Sequence, residues 1–283
     1  MDYAISVENL SKRYADFFLD GVIFHLPYGC IMGLIGENGA GKTTTIKLIL
    51  DLIRRQSGSI SVLGRPCPEE LDLIKEHLGV ILEESSFPEN LSARYINQVL
   101  KNIYRTWDEK KFHSLLSRLS LPTTKNIKDY SRGMKTKLAV AVALAHDAQL
   151  LILDEPTSGL DPVVREEILE IFMEFIQDES HSILMSTHIV SDLEKVADYV
   201  TFLHQGKIIF SQGKDDLLES FALVKCSPEE FQHIDPSAVR GYRKNSFGVE
   251  ALVLKDKVRG DYVMDPAGIE EIMLYHIKKE RVS

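Results

Sequence analysis

Hydrophobic positions along this chain follow two different periods. Residues 4–9 alternate in polarity before Leu10-Ser11-Lys12-Arg13-Tyr14, and Gly21–Leu26 forms a second strand-like run closed by Pro27-Tyr28-Gly29. Mixed alternation of this kind predicts an antiparallel β layer. Continuous apolar runs follow at Ile31–Ile35, Leu78–Leu82, Leu150–Asp154, Ile183–Thr187, Tyr199–Leu203 and Lys207–Phe210, and Gly58–Gly64 reads as a short strand between glycine turns. Val164, Ile168, Ile171, Phe172 and Phe175 instead recur at helical spacing. Strands alternating with helices predict a largely parallel sheet with right-handed crossovers.

The pattern changes between Asn90 and about Leu121. Phe112, Leu115, Leu116 and Leu119 mark one helix face, which Pro122 is expected to end. Residues 87–146 read as a mostly helical subdomain inserted into the α/β core. The core is expected to close near Gln212-Gly213-Lys214, with a helix over Asp215–Phe221 leading away. Residues 222–283 then suggest an α+β appendage: a strand over Ala222–Lys225, a hairpin around Asn245-Ser246-Phe247-Gly248, and a terminal helix after Pro266. The expected division is 1–220 for the main domain and 221–283 for the accessory one.

Bulk properties narrow the classes. A chain of 283 residues, 44% hydrophobic and 27% charged, has the make-up of a globular protein. A formal charge of −9 argues against a broad nucleic-acid footprint, which needs a basic face. No apolar run approaches the ~20 residues that cross a bilayer, and the first residues lack the form of a secretory signal. Cys30, Cys67 and Cys226 have no C-x-x-C spacing, so buried free thiols in a reducing cytoplasm are expected.

The chemistry concentrates in Gly36-Glu37-Asn38-Gly39-Ala40-Gly41-Lys42-Thr43. It fits G-x-x-x-x-G-K-[ST], with an apolar strand before it and a helix opening at Thr44 after it. Strand, glycine turn and helix aim backbone N–H groups and a positive dipole end at one spot, which attracts phosphate. Lys42 can reach the β- and γ-phosphates and the Thr43 hydroxyl can ligate Mg²⁺, so a nucleoside triphosphate site is expected. Leu150–Asp154 ends in a carboxylate followed by Glu155. Asp154 suits the Mg²⁺ partner of such a loop, and Glu155 is placed to polarise a water in line with the γ-phosphate.

With these motifs the chain resembles the ATP-binding subunits of ABC transporters over about residues 4–215. The resemblance implies a P-loop NTPase core of α/β class, with an antiparallel β subdomain and an inserted helical one. Tyr14 lies where the family stacks an aromatic on adenine. Tyr130-Ser131-Arg132-Gly133-Met134-Lys135 falls at the signature normally written LSGGQ: Ser131 and Gly133 are kept, while Tyr130, Arg132 and Met134 depart from it. In isolation Ser131 would read as a plain helix cap. Ser158-Gly159-Leu160-Asp161 resembles the D-loop, and His188 the switch histidine at the γ-phosphate. Glu83 holds the place of the family's Mg²⁺-sensing Gln, with Glu84 after it.

The resemblance further implies ATP and Mg²⁺ as ligands, and a head-to-tail dimer in which Ser131, Arg132, Gly133, Met134 and Asp161 serve the facing chain's ATP. It also implies a separate integral-membrane permease docked near residues 83–105, where Phe87, Tyr95 and Tyr104 are candidate contacts. The expected location is peripheral, on the cytoplasmic face of the membrane, with export of a peptide, drug or lipid. The alternatives are a soluble ATPase of this family acting as a regulatory or immunity switch, or one acting on DNA or ribosomes. A single P-loop, the absence of a long heptad insertion and the acidic charge disfavour the last.

Overall fold

A computed structural model describes residues 3–82, 87–246 and 248–277. Among these, fourteen strands form three sheets.

The first sheet is antiparallel. Its order is β2 (Phe18–Pro27), β1 (Tyr3–Arg13), β4 (Ser57–Val62) and β5 (Arg65–Cys67). Alternating residues of β1, such as Ile5 and Val7, pack into a core with Phe24, Leu26 and Ile60. β1 runs well past the alternating stretch seen in the sequence. Asn9 has φ 48° and the register with β2 shifts between Val7 and Leu10, so a bulge breaks the period of two without ending the strand. β2 likewise starts before Gly21, whose φ of 59° marks another irregularity.

The central sheet has six strands in the order β10 (Lys207–Gly213), β9 (Tyr199–His204), β3 (Ile31–Ile35), β8 (Ser182–Thr187), β7 (Leu150–Asp154) and β6 (Leu78–Ile81). All pairings are parallel except β10 with β9. Every residue of β3, β7 and β8 is buried, as strands covered on both faces must be. Their carboxyl ends share one rim of the sheet: Ile35 pairs with Thr187, and Ser186 with Asp154. α1 (Lys42–Ile49) follows β3, while α5 (Pro162–Phe175) and α6 (Val190–Val196) follow β7 and β8.

Between β6 and β7 lie α2 (Ala93–Leu100), α3 (Glu109–Arg118) and α4 (Arg132–Leu144). Phe112, Leu116 and Leu119 are buried as their spacing predicts. Pro122 does not end α3: the helix closes at Arg118, and Ser120 turns the chain with φ 54°. Of the aromatics expected to be exposed here, Tyr95 is exposed, whereas Phe87 is half-buried against the core and Tyr104 stacks on His146 at 4.3 Å.

Beyond β10, α7 (Lys214–Ser220) replaces the helix expected through Phe221, because Phe221 opens a strand. The third sheet has the order β12 (Val239–Asn245), β13 (Gly248–Leu254), β11 (Phe221–Cys226) and β14 (Met264–Pro266). α8 (Pro228–Phe231) lies within this segment, and α9 (Ile269–Ile277) follows β14. One face of the sheet has its own small core of Val224, Ile234, Ala251 and Val253. Leu223, Leu252, Ile269, Ile272 and Tyr275 instead join the cluster that holds Leu193, Val200 and Phe202 of the main body.

All three cysteines are free, but only Cys67 is buried; Cys30 and Cys226 are half-buried. Burial, followed by the charge of Glu69, pushes the Cys67 thiol up to about 11.

Candidate functional site

Local geometry forces the loop between β3 and α1 into a cradle. Gly36 lies so close to β9 that a Cβ there would stand 2.3 Å from the Leu203 carbonyl oxygen. Gly41 caps α1 with φ 113°, which an L side chain rarely adopts, and a Cβ on it would meet the Phe17 ring at 2.7 Å. Ala40 is buried and its N–H bonds the Glu37 carbonyl at 3.0 Å, which tightens the turn. Glu37, Asn38, Gly39, Gly41, Lys42, Thr43 and Thr44 line an open cleft of about 760 Å³. Tyr14, Glu155 and His188 line the same cleft, so it gathers residues from four separated parts of the sequence. Asp16 and Phe17 join them and were missed in the sequence; Ser158, the first residue of the segment that resembles the D-loop, lines the cleft as well. The Tyr14 N–H bonds the Phe17 carbonyl at 2.8 Å, a turn that leaves both aromatics lining the cleft.

At the floor the charged groups are already connected. Lys42 is 6% exposed, and its ammonium donates to the Gly36 carbonyl at 2.8 Å and the Glu37 carbonyl at 3.3 Å. Its third contact is Glu155 Oε1 at 3.3 Å. The other oxygen of Glu155 lies 2.8 Å from His188 Nδ1. Lysine, glutamate and histidine thus form a chain across the space that faces the loop. Glu155 has φ 52°, a conformation costing an ordinary residue ~1–2 kcal/mol. Non-glycine residues held this way concentrate where a side chain must be aimed.

Asp154 is buried just below. Its Oδ1 accepts from the Ser186 hydroxyl at 2.6 Å, while Oδ2 has no hydrogen-bond partner among the described residues. An orphaned, buried carboxylate oxygen is costly unless something fills its lone pairs. No cluster of three or more His, Cys, Asp or Glu able to hold a metal occurs among the described residues. The unpartnered Asp154 oxygen suits Mg²⁺, which is held by one or two protein oxygens and completes its shell with phosphates and water. Asp154 Oδ2 and the Thr43 hydroxyl could hold it. Glu83, the third expected metal contact, lies outside the described residues.

The signature residues stand elsewhere. Ser131 caps α4 by accepting from the Met134 N–H at 3.2 Å, and Asp161 caps α5 by accepting from Val163 and Val164. Ser131, Arg132, Gly133 and Met134 line a second concavity together with Gly159, Leu160 and Asp161. The Arg132 guanidinium lies against Gly159, leaving no room for a Cβ there. Ser158 faces the first cleft and Gly159 the second, so the short segment after Glu155 divides them.

Comparison with known proteins decides the family. A family model described as ABC transporter matches residues 19–158. The lantibiotic transport ATP-binding protein SrtF of Streptococcus pyogenes is 38% identical over 223 residues, covering 77% of this chain and 95% of that protein. The chain belongs to the ABC transporter family. The bacitracin transport ATP-binding protein BcrA of Enterococcus faecalis is 34% identical, over 74% of this chain and 69% of its own. A solved ATP-binding subunit of an ABC transporter superposes with a TM-score of 0.68 at 29% identity, covering 76% of this chain and 91% of that one. As an ABC protein the chain binds and hydrolyses ATP, and its α/β fold with antiparallel and parallel sheets is that of the P-loop NTPases.

Proposed function

We propose that this chain is the motor subunit of an ABC exporter, with ATP bound in the cleft and two copies closing head-to-tail around two nucleotides. The observation that carries the reading is the separation of the two concavities. One holds the phosphate loop, Glu155 and His188; the other holds Ser131, Gly133 and Asp161 across the dividing segment. A single chain therefore presents each half of a site on a different surface. A two-fold axis can bring each half to its complement.

The residues then divide the work. The N–H groups of Gly36–Thr44 bind phosphate oxygens at the helix N-terminus. Tyr14 offers a ring to the adenine, and Phe17 closes the wall beside Gly41. Mg²⁺, held by Thr43 and Asp154, would neutralise charge on the β- and γ-phosphates. An arriving phosphate competes with Glu155 for Lys42, and the freed Glu155 carboxylate can orient and deprotonate a water. His188, whose Nδ1 is 2.8 Å from Glu155, holds that carboxylate from the wall of the cleft that would face the γ-phosphate. Ser131 and Gly133 of the facing chain complete the shell. Closure lasts only while the γ-phosphate bridges both chains, so hydrolysis reopens the pair.

No helix among the described residues is long and apolar enough to cross a membrane. In this reading the transport path belongs to a separate permease, with this chain peripheral on the cytoplasmic face of the membrane. Tyr95, Val99 and Ile103 are exposed at spacing i, i+4, i+8 on and after α2, a stripe suited to receive a helix of that permease. The relatives above are named for lantibiotic and bacitracin transport, which favours a peptide-type cargo here.

Glu155→Gln should bind ATP, lose at least about 100-fold in turnover and accumulate as a dimer, as read by light scattering with Mg·ATP. A variant that hydrolyses at the parent rate, or stays monomeric with ATP and the permease supplied, would overturn this reading.

A further inference from the structure

β8 ends in Ser186-Thr187-His188, and Ser186 is fully buried. Parallel pairing sets it opposite Asp154, the last residue of β7. Its single hydroxyl meets two consecutive residues of the neighbouring strand. It donates to Asp154 Oδ1 at 2.6 Å and accepts from the Glu155 N–H at 3.1 Å. The Ser186 carbonyl takes the same N–H, also at 3.1 Å.

These contacts have separate consequences. A serine hydroxyl carries one proton, and here it is committed to Oδ1 of Asp154. That fixes the rotation of the carboxylate and leaves Oδ2 as the oxygen without a partner among the described residues. The bonds from the Glu155 N–H anchor a residue whose φ of 52° is not one it would choose. The side chain that springs from that backbone reaches Lys42 on one oxygen and His188 on the other.

We propose that Ser186 is a positioning residue for ATP hydrolysis. It presents Asp154 Oδ2 to the metal and holds the Glu155 backbone in the turn that aims its carboxylate. The inference rests on the roles given above to Asp154 and Glu155. A serine serving only to satisfy a buried strand end would affect stability alone.

The test uses the full chain with Ser186→Ala, Ser186→Cys and Ser186→Thr. Ala removes the hydroxyl, Cys keeps nearly the same size but donates weakly, and Thr restores the hydroxyl. Thermal unfolding identifies the folded variants. Three quantities are then measured: fluorescent-ATP binding in EDTA, Mn²⁺ affinity in the presence of ATP by electron paramagnetic resonance, and kcat and KM for ATP. Loss of a residue that orients a metal ligand typically costs 10–100-fold in metal affinity or activity. Ala or Cys should therefore lower Mn²⁺ affinity and kcat by about 10-fold or more. KM and metal-free ATP binding should stay within about two-fold, and Thr should recover most of the loss.

A folded Ala or Cys variant with parental kcat and Mn²⁺ affinity overturns the proposal. So does an equal loss of metal-free ATP binding, which would mean the whole cleft had collapsed. Asp154→Asn and Glu155→Gln separate the two levels. If Asp154→Asn leaves Mn²⁺ affinity, or Glu155→Gln leaves turnover, as in the parent, the underlying reading fails. If Asp154→Asn lowers the first and Glu155→Gln the second while the Ser186 variants change neither, only the positioning role fails.

Discussion

At the scale of single residues, close approach decides more than charge. Gly36 has no exceptional φ, yet the Leu203 carbonyl stands where its Cβ would be. Neither partner is a flexible side-chain tip, so Gly36→Ala must shift the loop or β9. A loss of about 1–3 kcal/mol in denaturant unfolding is expected, together with weakened ATP binding. His146 has a different vulnerability. It is buried beneath the Tyr104 ring, with a ring nitrogen 3.1 Å from the Leu78 carbonyl, and desolvation holds its pKa below the ordinary 6.5. The unfolded chain takes up a proton there that the fold resists. The contribution to stability is whole above pH 6.5 and is lost as pH falls through the lowered folded value. Denaturation midpoints at about pH 7.5 and 5.5 should record the decline, and His146→Gln should shrink it. The phosphate loop, Asp154, Glu155 and His188 could be read from the sequence because each stands at the end of an apolar run. Ser186 could not, since a hydroxyl inside such a run carries no sign of what lies on the neighbouring strand.

At the scale of elements, buried strands were legible and irregular ones were not. β7 is five consecutive buried residues and could hardly be anything else. β1 was cut short because a bulge at Asn9 shifts the apolar face, which a strict count of alternation takes for an end. α3 misled in the opposite sense: Pro122 drew the boundary, but the chain had already turned at Ser120. α4 owes its start to Ser131, whose hydroxyl satisfies the Met134 N–H. Ser131→Ala should cost about 1 kcal/mol of stability as a lost cap. Ser131→Asp keeps a cap, so stability should be retained while ATP-driven dimerisation falls, because a carboxylate would face the partner's phosphates. Paired unfolding and light-scattering measurements would separate capping from phosphate binding.

At the scale of the molecule, the carboxy-terminal segment is welded to the body. The His276 ring packs edge-on against Phe210 of β10 and Phe221 of β11, at 5.6 and 5.4 Å. Ile272 is fully buried in the cluster that also holds Phe202. Sequence patterning suggested a satellite because the strand order changes and a helix intervenes; it carried no information on which face of the new sheet would be covered. We propose that the boundary near residue 220 divides topology and not stability. Ile272→Ala should then cost about 2–5 kcal/mol and lower one shared calorimetric transition. Two separated transitions would count against it.

The chain from Lys42 through Glu155 to His188 has one further consequence. Glu155 Oε1 lies 3.3 Å from the Lys42 ammonium, and its other oxygen 2.8 Å from His188 Nδ1. The lysine that the phosphate loop offers to an anion and the carboxylate that follows Asp154 are therefore neighbours. A substitution at Lys42 should disturb the aim of Glu155 as well as phosphate binding, so the two effects need to be measured separately.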